Sequence, residues 1–298
     1  MIKIENISKS YGKVNALTNL NFNVKDGQLY GLIGADGAGK TSLFRILTTL
    51  LLPDTGKATL NNLDAVKDYK EIRRILGYMP EHFSLYLDLS VEENLNFFAT
   101  VFNTTIEENY YLIKDIYKML EPFKKRKAGD LSGGMKQKLA LSCALIHKPK
   151  ILLLDEPTTG VDPVSRKEFW EMLKHLQTEG LTTLVSTPFL DDAELCDEVA
   201  LIQNGSILSV DTPHNIANQY PHQLWEIKSE NNYQTLLLLE KFNKKVSAFA
   251  FGNVVHFACD KKFDIKEVEQ YLISNNVENI SIKVIEPSIE DVFMDLMK

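Results

Sequence analysis

Leu29-Tyr30-Gly31-Leu32-Ile33-Gly34-Ala35-Asp36-Gly37-Ala38-Gly39-Lys40-Thr41-Ser42-Leu43 is the stretch that decides the fold. Residues 29–33 read as a short apolar strand, a glycine-rich turn follows, and residues 41–52 carry a helical pattern. Between strand and helix, residues 34–41 fit GxxxxGK[ST], in the context that its chemistry requires. Glycines let successive backbone N–H groups turn toward a phosphate chain, and the helix start adds partial positive charge. Gly34, Ala35, Asp36, Gly37, Ala38, Gly39, Lys40, Thr41 and Ser42 are therefore candidate nucleotide-binding residues. The Lys40 ammonium faces the β- and γ-phosphates in this reading, and the Thr41 hydroxyl is a Mg²⁺ ligand.

Two further stretches carry chemistry. Residues 151–154 are a continuous apolar run of the kind a buried parallel strand shows, and they end in Asp155-Glu156. Two carboxylates at such a strand end are costly unless metal or hydrogen bonds compensate. Asp155 is the candidate Mg²⁺ ligand, and Glu156 the candidate general base on the attacking water. Leu131-Ser132-Gly133-Gly134-Met135 precedes a helical run over 136–146 and offers amides and a hydroxyl to an anion. On its own that string reads rather as a turn with a serine cap.

Taken in order, the phosphate loop, Leu131-Ser132-Gly133-Gly134-Met135 and the Asp155-Glu156 strand resemble the ATP-binding cassette (ABC) ATPases, whose signature is LSGGQ. The likeness runs densely over residues 1 to about 220, and residues 287–293 are similar to the tail of drug- and polysaccharide-export subunits. It implies an α/β P-loop NTPase fold with a mixed sheet core, an antiparallel β subdomain and a helical subdomain at about 90–145. It implies ATP with Mg²⁺, and a head-to-tail dimer in which Leu131, Ser132, Gly133, Gly134 and Met135 close on the partner's ATP. Asp162, in Gly160-Val161-Asp162-Pro163, stands in the D-loop, and Tyr11 stands where an aromatic stacks on adenine; Tyr11 as core filler stays open. The implied partners are an integral-membrane transporter subunit, contacted through residues 78–95, and a second ABC subunit, identical or different. The implied location is cytoplasmic, on the inner face of the cell membrane.

Two positions depart from the family pattern. Glu81 follows Tyr78-Met79-Pro80 where a glutamine is usual; it remains a candidate metal ligand but brings extra negative charge to the triphosphate. Pro188 follows Ser186-Thr187 where the family has a histidine, and proline has neither imidazole nor N–H to offer a γ-phosphate. Glu156, Glu81 and position 188 thus form the expected catalytic set, with own-site hydrolysis slowed.

The remainder sets bounds. A net charge of −7 leaves no positive field for nucleic acid, so no nucleic-acid partner is expected, and Lys124-Lys125-Arg126-Lys127 reads as a solvated run. Cys143, Cys196 and Cys259 suggest neither a disulfide framework nor a metal pattern. No apolar stretch is long enough to span a bilayer, and Leu50-Leu51-Leu52 reads as core. Ser90 and Glu93 form a capping box that opens a helical region to about 123, and Asn204-Gly205 marks a hairpin. Beyond 220 the pattern is strand (224–227), helix (233–242), strands (246–258), helix (265–273) and strand (280–285), so a small α+β domain is expected over 221–298 behind a nucleotide domain over 1–220. Two other functions compete: a nucleotide-gated regulatory subunit with little turnover, and a cassette ATPase acting on nucleic acid or ribosomes.

Overall fold

A computed structural model describes residues 1–82 and 84–297. The chain divides into two compact units, Met1–Pro213 and His214–Lys298, a division earlier than the one read from sequence.

In the first unit, β1 (Ile2–Tyr11) and β2 (Val14–Val24) form an antiparallel pair and lead to β3 (Leu29–Ile33), the phosphate loop and α1 (Lys40–Leu47). Then come β4 (Thr55–Leu60), β5 (Leu63–Asp64), α2 (Tyr69–Ile75) and β6 (Leu76–Met79). The helices α3 (Val91–Val101), α4 (Ile106–Tyr117) and α5 (Gly133–Leu145) follow, packed on one another. The unit ends with β7 (Ile151–Asp155), α6 (Pro163–Thr178), β8 (Thr182–Thr187), β9 (Glu198–Gln203) and β10 (Ser206–Asp211).

The strands build two sheets: an antiparallel one in the order β2-β1-β4-β5 and a mixed one in the order β10-β9-β3-β8-β7-β6. Alternation in β1 and β2 buries Ile2, Ile4, Leu20, Phe22 and Val24 against Leu43, Phe44 and Leu47 of α1, and Leu153 and Leu184 of the mixed sheet join the same core. At roughly 25 cal/mol per Å² of apolar surface, this shared core is the main force holding α1 against both sheets. The parallel register decides where chemistry can occur. Ile33 pairs with Thr187, Asp155 with Ser186 and Met79 with Leu154, so β3, β8, β7 and β6 end along one edge.

Three sequence expectations need correction. The helix after the phosphate loop ends at Leu47, short of residue 52, because Thr48 caps it and Thr49 turns to a φ of 63°. Leu50 and Leu52 consequently point outward, 64% and 63% exposed, and are not core; Leu51 alone packs partly on the core. The signature helix begins at Gly133, not 136, since the Ser132 side chain accepts the Met135 N–H and starts the helix inside the motif. The helical region expected to about 123 is present as α3, α4 and a 3₁₀ turn, with a second capping box at Thr105 and Glu108. Ser90 and Glu93 cap α3 as read, the Asn204-Gly205 turn has φ of 47° and 74°, and the basic run 124–127 is exposed.

The second unit comprises α7 (Pro213–Asn218), β11 (Gln223–Lys228), α8 (Asn232–Lys241), β12 (Ser247–Phe251), β13 (Val254–Cys259), α9 (Lys266–Ser274), β14 (Ser281–Ile285) and α10 (Ile289–Leu296). From β11 to β14 this is the βαββαβ order expected, as one antiparallel sheet ordered β12-β13-β11-β14. Ile227, Val255 and Phe257 pack with Leu239, Val268 and Leu272 of α8 and α9. All three cysteines are free and buried.

Candidate functional site

The phosphate loop is fixed in place by backbone on three sides. The Gly34 N–H donates to Thr187 O at the end of β8 (3.2 Å), and the Gly205 N–H at the hairpin tip donates to Ala38 O (3.0 Å). A Cβ on Gly34 would collide with the Ile202 carbonyl, and one on Gly39, which has φ 105°, would collide with that of Ala16. Gly37, at φ 78°, faces open space. The glycine pattern therefore serves close backbone approach at 34 and 39 and turn geometry at 37.

Lys40 is 3% exposed and lies along this loop. Its Nζ donates to Gly34 O (2.7 Å) and Ala35 O (3.0 Å) and pairs with Glu156 Oε1 (3.0 Å). The fold thus joins two residues 116 positions apart (156 − 40). Glu156 has φ 49°, a backbone conformation that costs a branched or bulky residue about 1–3 kcal/mol unless its surroundings hold it. Here its N–H donates to Ser186 O (3.1 Å) and Ser186 Oγ (3.0 Å), and the Thr159 hydroxyl donates to its Oε2 (3.2 Å).

Asp155 is fully buried. Burial pushes its carboxyl up from the ordinary range; hydrogen bonding from Ser186 and the nearby Thr41 hydroxyl opposes this, and the negative charges of Glu156 and Glu81 add to it. Ser186 Oγ donates to Oδ1 at 2.6 Å, whereas Oδ2 is buried and has no hydrogen-bond partner. A buried carboxylate oxygen without a donor is the chemistry a hard cation satisfies, so Asp155 and Thr41 fit Mg²⁺. Among the described residues no cluster of three or more His, Cys, Asp or Glu could hold a metal, and phosphate and water oxygens would complete its shell. Glu81, exposed just past β6, is close enough to weigh on Asp155.

Position 188 is also built in. Thr187 Oγ1 donates to Asp192 Oδ2 (2.7 Å) and accepts the Phe189 N–H (3.1 Å). Arg166 binds Asp192 Oδ1 through Nε (3.0 Å) and a second guanidinium nitrogen (2.7 Å), and its guanidinium lies 4.1 Å from the Phe189 ring centroid. Pro188 is thereby held between two anchored neighbours, where it has no proton to donate. His175 is exposed on α6 beside Asp115 and Glu179.

Tyr11 ends β1 at 45% exposure, 3.5 Å from Ser42 Oγ through its hydroxyl, so it is not core filler. In the signature, Leu131 and Gly134 are buried while Ser132 and Gly133 are exposed, and a Cβ on Gly134 would meet Ser165 Oγ at 2.5 Å. Asp162 caps α6 by accepting the Ser165 N–H (3.0 Å), a bond that holds its carboxyl below the usual range. The close neighbours of the signature are thus on the α6 side, whereas those of the phosphate loop are Ala16, Thr187 and Ile202. An apolar groove lined by Tyr78, Met79, Leu85, Phe98 and Phe102 follows β6. In the expected contact stretch 78–95, Phe83 lies outside the described residues. Sequence reasoning missed Ser186, Thr159, Arg166 and Asp192; of these, Ser186 was visible only as a member of the Ser186-Thr187-Pro188 string.

The family model of the ABC transporters matches residues 17–159. The chain is 38% identical over 286 residues to the probable multidrug ABC transporter ATP-binding protein YbhF of Escherichia coli, covering 95% of this chain and 49% of that one, so it spans about half of that relative's length. It is 37% identical over 216 residues to the Nod factor export ATP-binding protein I of Burkholderia lata, covering 72% and 71% of the two chains. Among solved structures, a dimeric ATP-binding cassette in a post-hydrolysis state, bound to ADP and Pi, superposes with a TM-score of 0.64 at 27% identity, over 71% of this chain and 98% of the other.

Proposed function

The chain belongs to the ABC transporter family of ATP-binding proteins, and from that premise we propose that it is the ATP-binding subunit of an exporter. The observation that carries this reading is the junction of Lys40, Glu156 and Asp155 at the glycine loop, which brings an ammonium, a candidate base and an unpartnered metal-facing oxygen to one edge of the sheet. Residues 34–42 cradle the triphosphate, Tyr11 meets the adenine, Thr41 and Asp155 hold Mg²⁺ with Glu81 in reach, and Glu156 orients the attacking water. Ser132, Gly133, Gly134 and their flanks Leu131 and Met135 serve the ATP of a second cassette in a head-to-tail dimer, with Asp162 at the seam. The first unit, Met1–Pro213, serves as this nucleotide domain and the second, His214–Lys298, as an accessory α+β domain. The exporting character is supported by the likeness to the Nod factor export ATP-binding protein. Among the described residues no helix is long and apolar enough to cross a membrane. In this reading the translocation path is that of an integral-membrane partner, and this chain works on the cytoplasmic face.

Pro188 and Glu81 support a slow site: ATP is bound, but the γ-phosphate lacks a donor from position 188. Calorimetry and turnover on the purified chain test both halves. Mg-ATP binds the wild type, and Lys40→Ala abolishes the heat; equal heat in both would end the reading. Turnover is low and Glu156-dependent, and Pro188→His raises it about 10-fold or more. Brisk turnover in the wild type that Glu156→Gln stops would remove the slow-site half and leave an ordinary motor. Slow turnover that Pro188→His does not raise would favour the regulatory reading.

A further inference from the structure

Ser186, the penultimate residue of β8, lies directly opposite Asp155 in the parallel register and is fully buried. Its hydroxyl has two partners of different kinds: Asp155 Oδ1 at 2.6 Å and the Glu156 N–H at 3.0 Å. A hydroxyl has one proton, and an amide N–H can only donate, so that proton is committed to Asp155. One contact therefore fixes the rotation of the other. With Oδ1 engaged, the oxygen left without a donor is Oδ2. The second contact, joined by the Ser186 carbonyl at 3.1 Å, holds the backbone of Glu156 at its φ of 49° and so sets where that carboxylate leaves the chain. The carboxylate is then gripped on one oxygen by Lys40 and on the other by Thr159.

We propose that Ser186 is a positioning residue that uses one hydroxyl to select the metal-facing oxygen of Asp155 and to aim Glu156, coupling cation binding to alignment of the water-activating carboxylate. This rests on the reading of Asp155 and Glu156 as Mg-ATP residues. The bonds join Ser186 to two consecutive residues, Asp155 at the end of β7 and Glu156 just past it.

The test compares the full chain with Ser186→Ala and Ser186→Thr, measuring ATP affinity in EDTA, ATP affinity in Mg²⁺, turnover and thermal midpoint. Loss of a group that orients a metal ligand typically costs 10–100-fold in metal affinity or activity. Ser186→Ala is therefore expected to bind ATP in EDTA as the wild type does, while the gain in affinity conferred by Mg²⁺ shrinks about 10-fold and kcat falls by a similar factor. Ser186→Thr, which restores the hydroxyl, recovers most of both. The proposal is overturned if Ser186→Ala keeps its Mg²⁺ gain and kcat. It is equally overturned if affinity in EDTA, affinity in Mg²⁺ and thermal midpoint all fall together and threonine recovers none of them, because a role in packing alone gives that result. Failure of the underlying reading looks different: no ATP heat in the wild type, or the same heat in Lys40→Ala.

Discussion

At the scale of the residue, the phosphate loop shows three glycines that are not equivalent. Gly34 and Gly39 are required by the carbonyls of Ile202 and Ala16, and Gly37 only by its φ of 78°. Gly34→Ala must push back β9, so we expect a loss of about 2–3 kcal/mol in urea denaturation, together with loss of ATP binding. Gly37→Ala meets only the left-handed backbone penalty, about 1 kcal/mol, and keeps measurable affinity. Equal losses in the two variants would contradict the collision. The loop, Lys40, Asp155 and Glu156 were legible in the sequence because their chemistry is written in fixed spacing between neighbours. Ser186, Arg166 and Asp192 were not, because their roles arise only when β7 and β8 lie in register and α6 packs beside them. A serine near the end of an apolar strand announces nothing about a carboxylate 31 residues earlier (186 − 155).

At the scale of the element, caps were readable and interiors less so. Ser90 with Glu93 identified the start of α3, yet residues 163–178 received no assignment although Phe169, Trp170, Leu173 and Leu176 repeat at helical spacing. The short β4, β5 and β6 are too brief for periodicity to distinguish them from turns. Leu50-Leu51-Leu52 failed for another reason: hydrophobicity was read as burial, and the backbone turn at Thr49 decided otherwise. In the second unit, α10 is tied to the sheet by a bond no pattern could reveal, His256 Nδ1 to Asp291 Oδ1 at 2.7 Å. Burial acts to raise the Asp291 carboxyl, but hydrogen bonds from His256 and Ser288 outweigh it and hold the carboxyl below the usual range. A depressed folded value means that the contribution is complete above the unfolded pKa near 4 and is lost as pH falls through the folded one. Asp291→Asn is therefore expected to cost about 1.5–3 kcal/mol at neutral pH and to make stability less sensitive to pH below about 4. Trp225 fluorescence in a Trp170→Phe background follows this unit, since the chain has two tryptophans. An unchanged acid limb would rule out the hydrogen bonds of Asp291 as its origin.

At the scale of the whole molecule, the signature and the phosphate loop draw on different neighbours within the chain, which is the arrangement a reciprocal pair of cassettes uses. With Glu156→Gln slowing turnover, Mg-ATP is expected to double the mass seen by light scattering. Adding Ser132→Arg, an exposed position, blocks the doubling while leaving affinity for ATP in place. Doubling that survives Ser132→Arg would place the interface elsewhere. The join between the Gly205 amide and Ala38, with the Thr18 amide bonded in turn to Gly205 O at 2.7 Å, has a consequence for how ligand arrival is felt. The loop is stitched to a hairpin from one sheet and to a strand of the other, so tightening it around a ligand dampens local opening at the stitches themselves. Deuterium uptake at the amides of Thr18 and Gly205 should slow when ATP is added, reporting occupancy from outside the cradle.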